Sequence, residues 1–100
     1  MIVFVSSPYG GKAENVRAAL NYCLMEHELG NTPYAPHCFL SRFLDEPADR
    51  EAAMEMGLEM LERCDELHVW GNRISPGMQI EIEHAELCGI PVKYMEVIDE

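Results

Sequence analysis

Three glutamates, Glu81, Glu83 and Glu86, crowd the stretch SPGMQIEIEHAELCGIPV from Ser75 to Val92. A carboxylate can serve as nucleophile, general acid or general base, according to how its surroundings set its pKa. A second concentration of chemistry is the early loop SSPYGGK. There Ser7, Gly10 and Gly11 offer a hydroxyl and free backbone N–H groups ahead of a helix, a geometry that holds phosphate. The loop is neither a Walker loop nor a G-x-G-x-x-G fingerprint. Three of the seven cationic residues, Lys12, Arg42 and Arg73, fall in the loops SPYGGK, HCFLSR and GNRISPG, which favours an anionic ligand. Of the four histidines, His37 directly follows a strand and is placed for proton transfer or base contact. His27 reads as a satisfied residue on a packed helix, His68 as part of a strand, and His84 as lying on the outer part of its helix. Tyr9 and Phe39 could supply a stacking surface.

Elsewhere the composition mainly excludes. One hundred residues, 48% of them hydrophobic, make one domain spanning 1–100. No apolar run approaches the roughly 20 residues of a membrane span, and Met1 opens directly into IVFV without a basic leader. The expectation is a soluble, cytoplasmic protein that does not engage membranes. A formal charge of −11 disfavours nucleic-acid polymers and anionic bilayers, though not a small anion held by local donors. Cys23, Cys38, Cys64 and Cys88 form no C-x-x-C pair and read as buried reduced thiols, not as disulfides or zinc ligands. No metal and no cofactor is expected.

The elements that must position these groups follow from periodicity. IVFVS at 2–6 is a buried strand, and TPYAP, ELHVW and IPVKYM supply three more. From Ala13 to Leu29 the residues Val16, Leu20, Cys23, Leu24 and His27 share one helical face, and Gly30 stops the helix. HCFLSRFLDEP is irregular, with Pro47 suited to start the next helix. In residues 48–63 Ala53, Met54, Gly57, Met60 and Leu61 oppose the solvated Glu51, Glu55, Glu59 and Glu62. The last stretch alternates Met78, Ile80 and Ile82 with polar residues, as a strand would. Strand-helix-strand order leaves no room for another strand there, so it is a helix. Met78, Ile82 and Ala85 form its sheet-facing stripe, bordered by Glu81 and Cys88. Glu83 and Glu86 point to solvent, while Ile80 and Leu87 form a second apolar face that suits a homodimer or higher homo-oligomer. The sum is an α/β fold: an open parallel four-stranded sheet, order 2-1-3-4, flanked by three helices, flavodoxin-like or Rossmann-like. In such sheets ligands bind beyond the carboxyl ends of the strands, where the three cationic loops lie and where Glu81 stands about one turn into its helix.

With the order of elements, the segments SSPYGGK, RCDELHVW and SPGMQIEIEHAELCGIPV resemble the nucleoside 2-deoxyribosyltransferase superfamily over essentially the whole chain. The chain looks closest to its small bacterial and phage branch, related to the 2'-deoxynucleoside 5'-monophosphate N-glycosidases. The most specific element is a Ser-x-Gly-x-x-x-Glu-x-x-x-Ala pattern followed by Gly-x-Pro-Val. It is met by Ser75, Gly77, Glu81, Ala85, Gly89, Pro91 and Val92. The resemblance implies that Glu81 is a nucleophile attacking the anomeric carbon of a deoxyribose, with the sugar then passed from the glycosyl-enzyme to water or to another base. It also implies phosphate contacts at Ser7, Gly11 and Ser75. The full set of implied substrate contacts is Ser7, Pro8, Tyr9, Gly11, Asn72, Ser75, Gly77 and Met78. The chain departs from the family at Gly57, which stands where an aspartate commonly assists the leaving base, and at Met78, where transferases favour threonine. Leaving-group protonation then falls to His37, to the neighbourhood of Glu81, or to no residue. Two other readings stand beside this one: a non-catalytic nucleotide-binding module, and an oligomeric protein-interaction scaffold.

Overall fold

In a computed structural model, which describes residues 1–10, 12–45 and 48–96, the strands β1 (Ile2–Ser6), β2 (Thr32–Tyr34), β3 (Glu66–Val69) and β4 (Val92–Tyr94) form one parallel sheet. Its order is β2-β1-β3-β4, as the periodicity predicts. The helices are α1 (Ala13–Glu28), α2 (Pro36–Phe39), α3 (Arg50–Leu61) and α4 (Pro76–Leu87). Among the described residues four helices therefore stand where three are expected. The segment read as irregular begins with α2 and continues into a 3-10 turn over Leu40–Arg42. Pro36 starts α2 because its fixed φ suits a first helical turn, where its missing N–H costs nothing. Pro47 lies outside the described residues.

β1 shows why the two sheet faces differ. Its side chains alternate, so Phe4 joins Leu61, Leu67, Val69, Met78, Ile82 and Ala85 in one core layer beneath α3 and α4. Val5 joins Ala19, Ala35 and Trp70 in the other layer, beneath α1. Burying each large apolar side chain in these layers contributes about 1.5–3 kcal/mol. The stripe Met78, Ile82, Ala85 is buried as expected, which settles the last stretch as helix.

The packing face of α1 differs from the one expected. Leu20 and Leu24 are each 54% exposed and His27 lies in solvent, whereas Ala19 and Glu26 are fully buried. Ala19 lets the helix approach the sheet, and Glu26 is buried because three side-chain donors or partners reach it. Asn31 Nδ2 and Trp70 Nε1 each donate to its carboxylate at 2.9 Å, and His68 Nδ1 pairs with it. His68 Nε2 meets Glu66 at 2.8 Å, so its ring bridges two carboxylates. Met60 and Cys88 are likewise more exposed than expected. Of the four thiols Cys64 is buried, Cys23 and Cys38 are half-buried, and Cys88 is exposed, so the expectation of uniformly buried thiols fails at Cys88. All four are free.

Both α1 and α4 end in a Schellman turn. In α4 the Ile90 N–H donates to Ala85 O and the Gly89 N–H to Glu86 O, with Gly89 at φ +74°, a conformation glycine adopts without penalty. No described helix is long and apolar enough to cross a membrane.

Candidate active site

The parallel sheet sends the N-terminal ends of α3 and α4 and the loop after β1 to one edge, where they enclose a cavity of about 250 Å³. That volume suits a small molecule rather than a polymer. Ser7, Tyr9, Gly10, His37, Ser75, Gly77, Met78 and Glu81 line it.

Glu81 reaches the cavity from the second turn of α4 and is only 9% exposed. The Ser6 hydroxyl donates to its Oε1 at 2.7 Å. Burial raises the Glu81 pKa from 4.5 to about 7, and the Ser6 hydrogen bond works in the opposite direction by stabilising the anion. A carboxyl poised there exists in both forms near neutral pH. It can accept or donate a proton, or attack as an anion.

Ser75 fixes the start of α4. Its backbone is extended, its hydroxyl accepts the Met78 N–H at 3.3 Å, and its own N–H donates to Met78 Sδ at 3.4 Å. This is a capping box in which a thioether takes the place of the usual Glu or Gln.

His37, buried at the start of α2, is hydrogen-bonded through Nε2 to Ser7 Oγ at 3.2 Å and stacks on Tyr9, with ring centroids 4.8 Å apart and planes 9° from parallel. Desolvation lowers its pKa from 6.5 to about 4, so at neutral pH the ring is uncharged and carries one N–H. It can orient Ser7 or a ligand by hydrogen bonding but holds no second proton to give. The Ser41 hydroxyl, also on the cavity, donates to the His37 carbonyl.

Several expected positions fall elsewhere. Pro8 packs against Gly71, whose backbone at φ +100° brings the two loops together; a Cβ there would stand 3.1 Å from Pro8 Cδ. Asn72 and Arg73 line a separate shallow depression with Ile74 and Tyr94. Phe39 pairs edge-on with Phe43, away from the cavity. Lys12 and Arg42 are exposed and do not line the cavity, and Gly11 lies outside the described residues. None of the three loop cations therefore lines the cavity.

Other residues on the wall went unread. Arg50 lines the cavity at the start of α3, together with Asp45 and Asp49. Asp49 Oδ2 accepts the Asp45 N–H at 2.8 Å, and the Asp49 N–H donates to the Asp45 carbonyl at 2.7 Å, which ties this wall together. Gly57 also faces the cavity, and a Cβ there would meet only Pro36, at 3.7 Å. Ser6 is not among the expected residues, although strand alternation puts it on the face of Phe4, which is the α4 face.

Residues 1–95 match a family described as a domain of unknown function (DUF7768), and the chain belongs to that family. No curated protein matches it. Among solved structures it is similar to a 2-deoxyribosyltransferase from Bacillus psychrosaccharolyticus, with a TM-score of 0.75 and 18% identity. The similarity covers 99% of this chain and 77% of that one. At that identity the likeness is one of fold.

Proposed function

We propose that the protein cleaves or exchanges the N-glycosidic bond of a deoxynucleoside or its 5'-monophosphate. The observation that carries this reading is the Glu81 carboxyl: buried, cavity-facing and held by a single hydroxyl. In its ionised form Glu81 attacks the anomeric carbon as the bond to the base breaks, giving a glycosyl-enzyme and the free base. Water, or a second base, then displaces Glu81 from the sugar. Ser7, oriented by neutral His37, and the N-terminal turn of α4 behind Ser75 offer donors to the 5' end of the substrate. Tyr9 offers an aromatic ring to the base. The fold shared with a 2-deoxyribosyltransferase supports the same class of substrate.

The proton for the departing base comes from solvent in the neighbourhood of Glu81, since Gly57 has no side chain to supply one and His37 is uncharged. The exposed Ile80 and Leu87, the latter 83% accessible on the outer part of α4, extend the reading to a homodimer or larger homo-oligomer.

Chromatography of free base released from a panel of deoxynucleosides and their monophosphates tests the reaction. Wild type releases base from at least one of them and Glu81→Gln does not. Equal release by both proteins sinks the mechanism. Gly57 motivates a second reading, a nucleotide-binding module without turnover. Saturable calorimetric binding with no base release from any compound would establish that one instead.

A further inference from the structure

At the other end of α3 and α4 from the cavity, three side chains of different chemistry meet. Glu62, the residue that caps α3, places Oε2 2.8 Å from His84 Nε2, and Cys88 Sγ lies 3.7 Å from that same nitrogen. All three donor atoms fall within 4.8 Å of one another. Cys88 stands about 10 Å beyond Glu81 along the helix, at roughly 1.5 Å per residue, so this cluster is separate from the candidate active site.

The shared nitrogen narrows what the cluster can be. In a thiol or hydroxyl nucleophile relay the base and its orienting carboxylate use opposite ring nitrogens of the histidine. Here the carboxylate and the thiol converge on one nitrogen, as ligands converge on an ion. The i, i+4 spacing of His84 and Cys88 puts both on one face of α4, and Glu62 approaches from the neighbouring helix. Tetrahedral coordination, with a metal–sulfur distance of about 2.3 Å and a metal–nitrogen distance of about 2.0 Å, sets S and N roughly 3.5 Å apart. The Cys88–His84 separation already matches that. Glu62 and His84 need to part by only a few tenths of an ångström from their hydrogen-bonded distance.

We propose that Glu62, His84 and Cys88 form a three-ligand site for a zinc-class divalent transition-metal ion, with the fourth position open to water. Thiolate and imidazole donors select zinc, cobalt or nickel over magnesium and calcium. On binding, the Cys88 thiol forms a sulfur–metal bond and releases its proton to solvent, with no change of oxidation state. The net charge of −11 favours accumulation of a dication at the surface. The ion clamps the C-terminal ends of α3 and α4 and leaves their N-terminal ends, which line the cavity, untouched.

Cobalt(II) titration of the purified full chain, followed by absorption spectroscopy, tests the site, with zinc affinity read by competition against a chromophoric chelator. Wild type takes up one equivalent with tetrahedral d–d bands and a thiolate-to-cobalt charge-transfer band. Cys88→Ser loses the charge-transfer band although Cys23, Cys38 and Cys64 remain. Glu62→Gln and His84→Ala each weaken zinc binding at least ~10-fold, the loss that even outer-shell changes can cause. All three positions are solvent-accessible, and circular dichroism verifies that the variants fold. The proposal is overturned by the absence of saturable one-to-one binding, by a charge-transfer band that survives Cys88→Ser, or by unchanged affinity in both other variants.

Discussion

Two buried glutamates, on helices packed against opposite faces of the sheet, are in opposite circumstances. Glu26, on α1, is fully buried, and Asn31, His68 and Trp70 occupy its carboxylate. Glu81, on α4, is nine-tenths buried, opens onto a cavity and has one side-chain donor, Ser6. Hydrogen-bond supply separates the two. A carboxylate whose lone pairs are taken joins the scaffold, and removing it strands its partners. A carboxylate left short of donors keeps its reactivity, at a cost in stability whenever it is ionised.

The widest predicted gap lies between Glu81→Gln and Glu26→Ala. On the mechanism proposed above, Glu81→Gln lowers base release on the order of 10³-fold or more, as loss of a nucleophile does, measured by single-turnover chromatography. Its effect on stability runs the other way and follows from the sign of the shift. The folded-state pKa of about 7 lies above the unfolded 4.5, so the protonated form stabilises the fold. That contribution is complete below pH 4.5 and fades as pH rises through 7. Above pH 7 wild type therefore carries a penalty of roughly 3 kcal/mol that Glu81→Gln escapes. Glu26→Ala destabilises by about 3–5 kcal/mol instead, because His68, Trp70 and Asn31 lose their shared acceptor in the interior. Urea denaturation at pH 8 separates the two: the midpoint rises for Glu81→Gln and falls for Glu26→Ala. A fall for both would mean that Glu81, too, belongs to the scaffold.

The contrast also marks how far the sequence could be read. Strand-helix alternation implies the parallel sheet and its order, because crossovers leave few ways to connect four such strands. The place of Glu81 beside the Met78, Ile82, Ala85 stripe made it a candidate by position, and the family resemblance singled it out. Glu26 was not, since an acidic residue counts as surface in any apolar periodicity, and its three partners lie at other points of the chain. That single residue rotated the expected face of α1 onto Leu20 and Leu24. The four-residue α2 is too short to show a period. Asp45, Asp49 and Arg50 come to the cavity through an irregular turn whose path no periodic pattern encodes.

Ser6→Ala sharpens the comparison by taking from Glu81 its one side-chain donor among the described residues. The hydroxyl favours the anion, so its loss raises the Glu81 pKa further above 7. A hydrogen bond to a charged group contributes about 1.5–3 kcal/mol, equivalent to roughly one to two pKa units. The alkaline-going limb of the rate profile moves up by that amount, and turnover at pH 7 falls on the order of 10-fold. The plateau at high pH is reached later but changes less. A loss of activity uniform across pH would assign Ser6 to substrate contact instead.

The smallest effect concerns how the helices carrying the two glutamates begin. Ser75 caps α4 by accepting the Met78 N–H, whereas Lys12 starts α1 with extended backbone and no side-chain cap. Ser75→Ala therefore costs about 1 kcal/mol and loosens the turn that leads to Glu81. Lys12→Ser adds an acceptor where the backbone is already in cap geometry, and gains up to about 1 kcal/mol on the helix that holds Glu26. Thermal melts resolve both shifts. If the comparison holds, Ser75→Ala also lowers turnover because its helix carries the reactive carboxyl. Lys12→Ser changes stability alone, since Glu26 is held by its partners and not by the start of its helix.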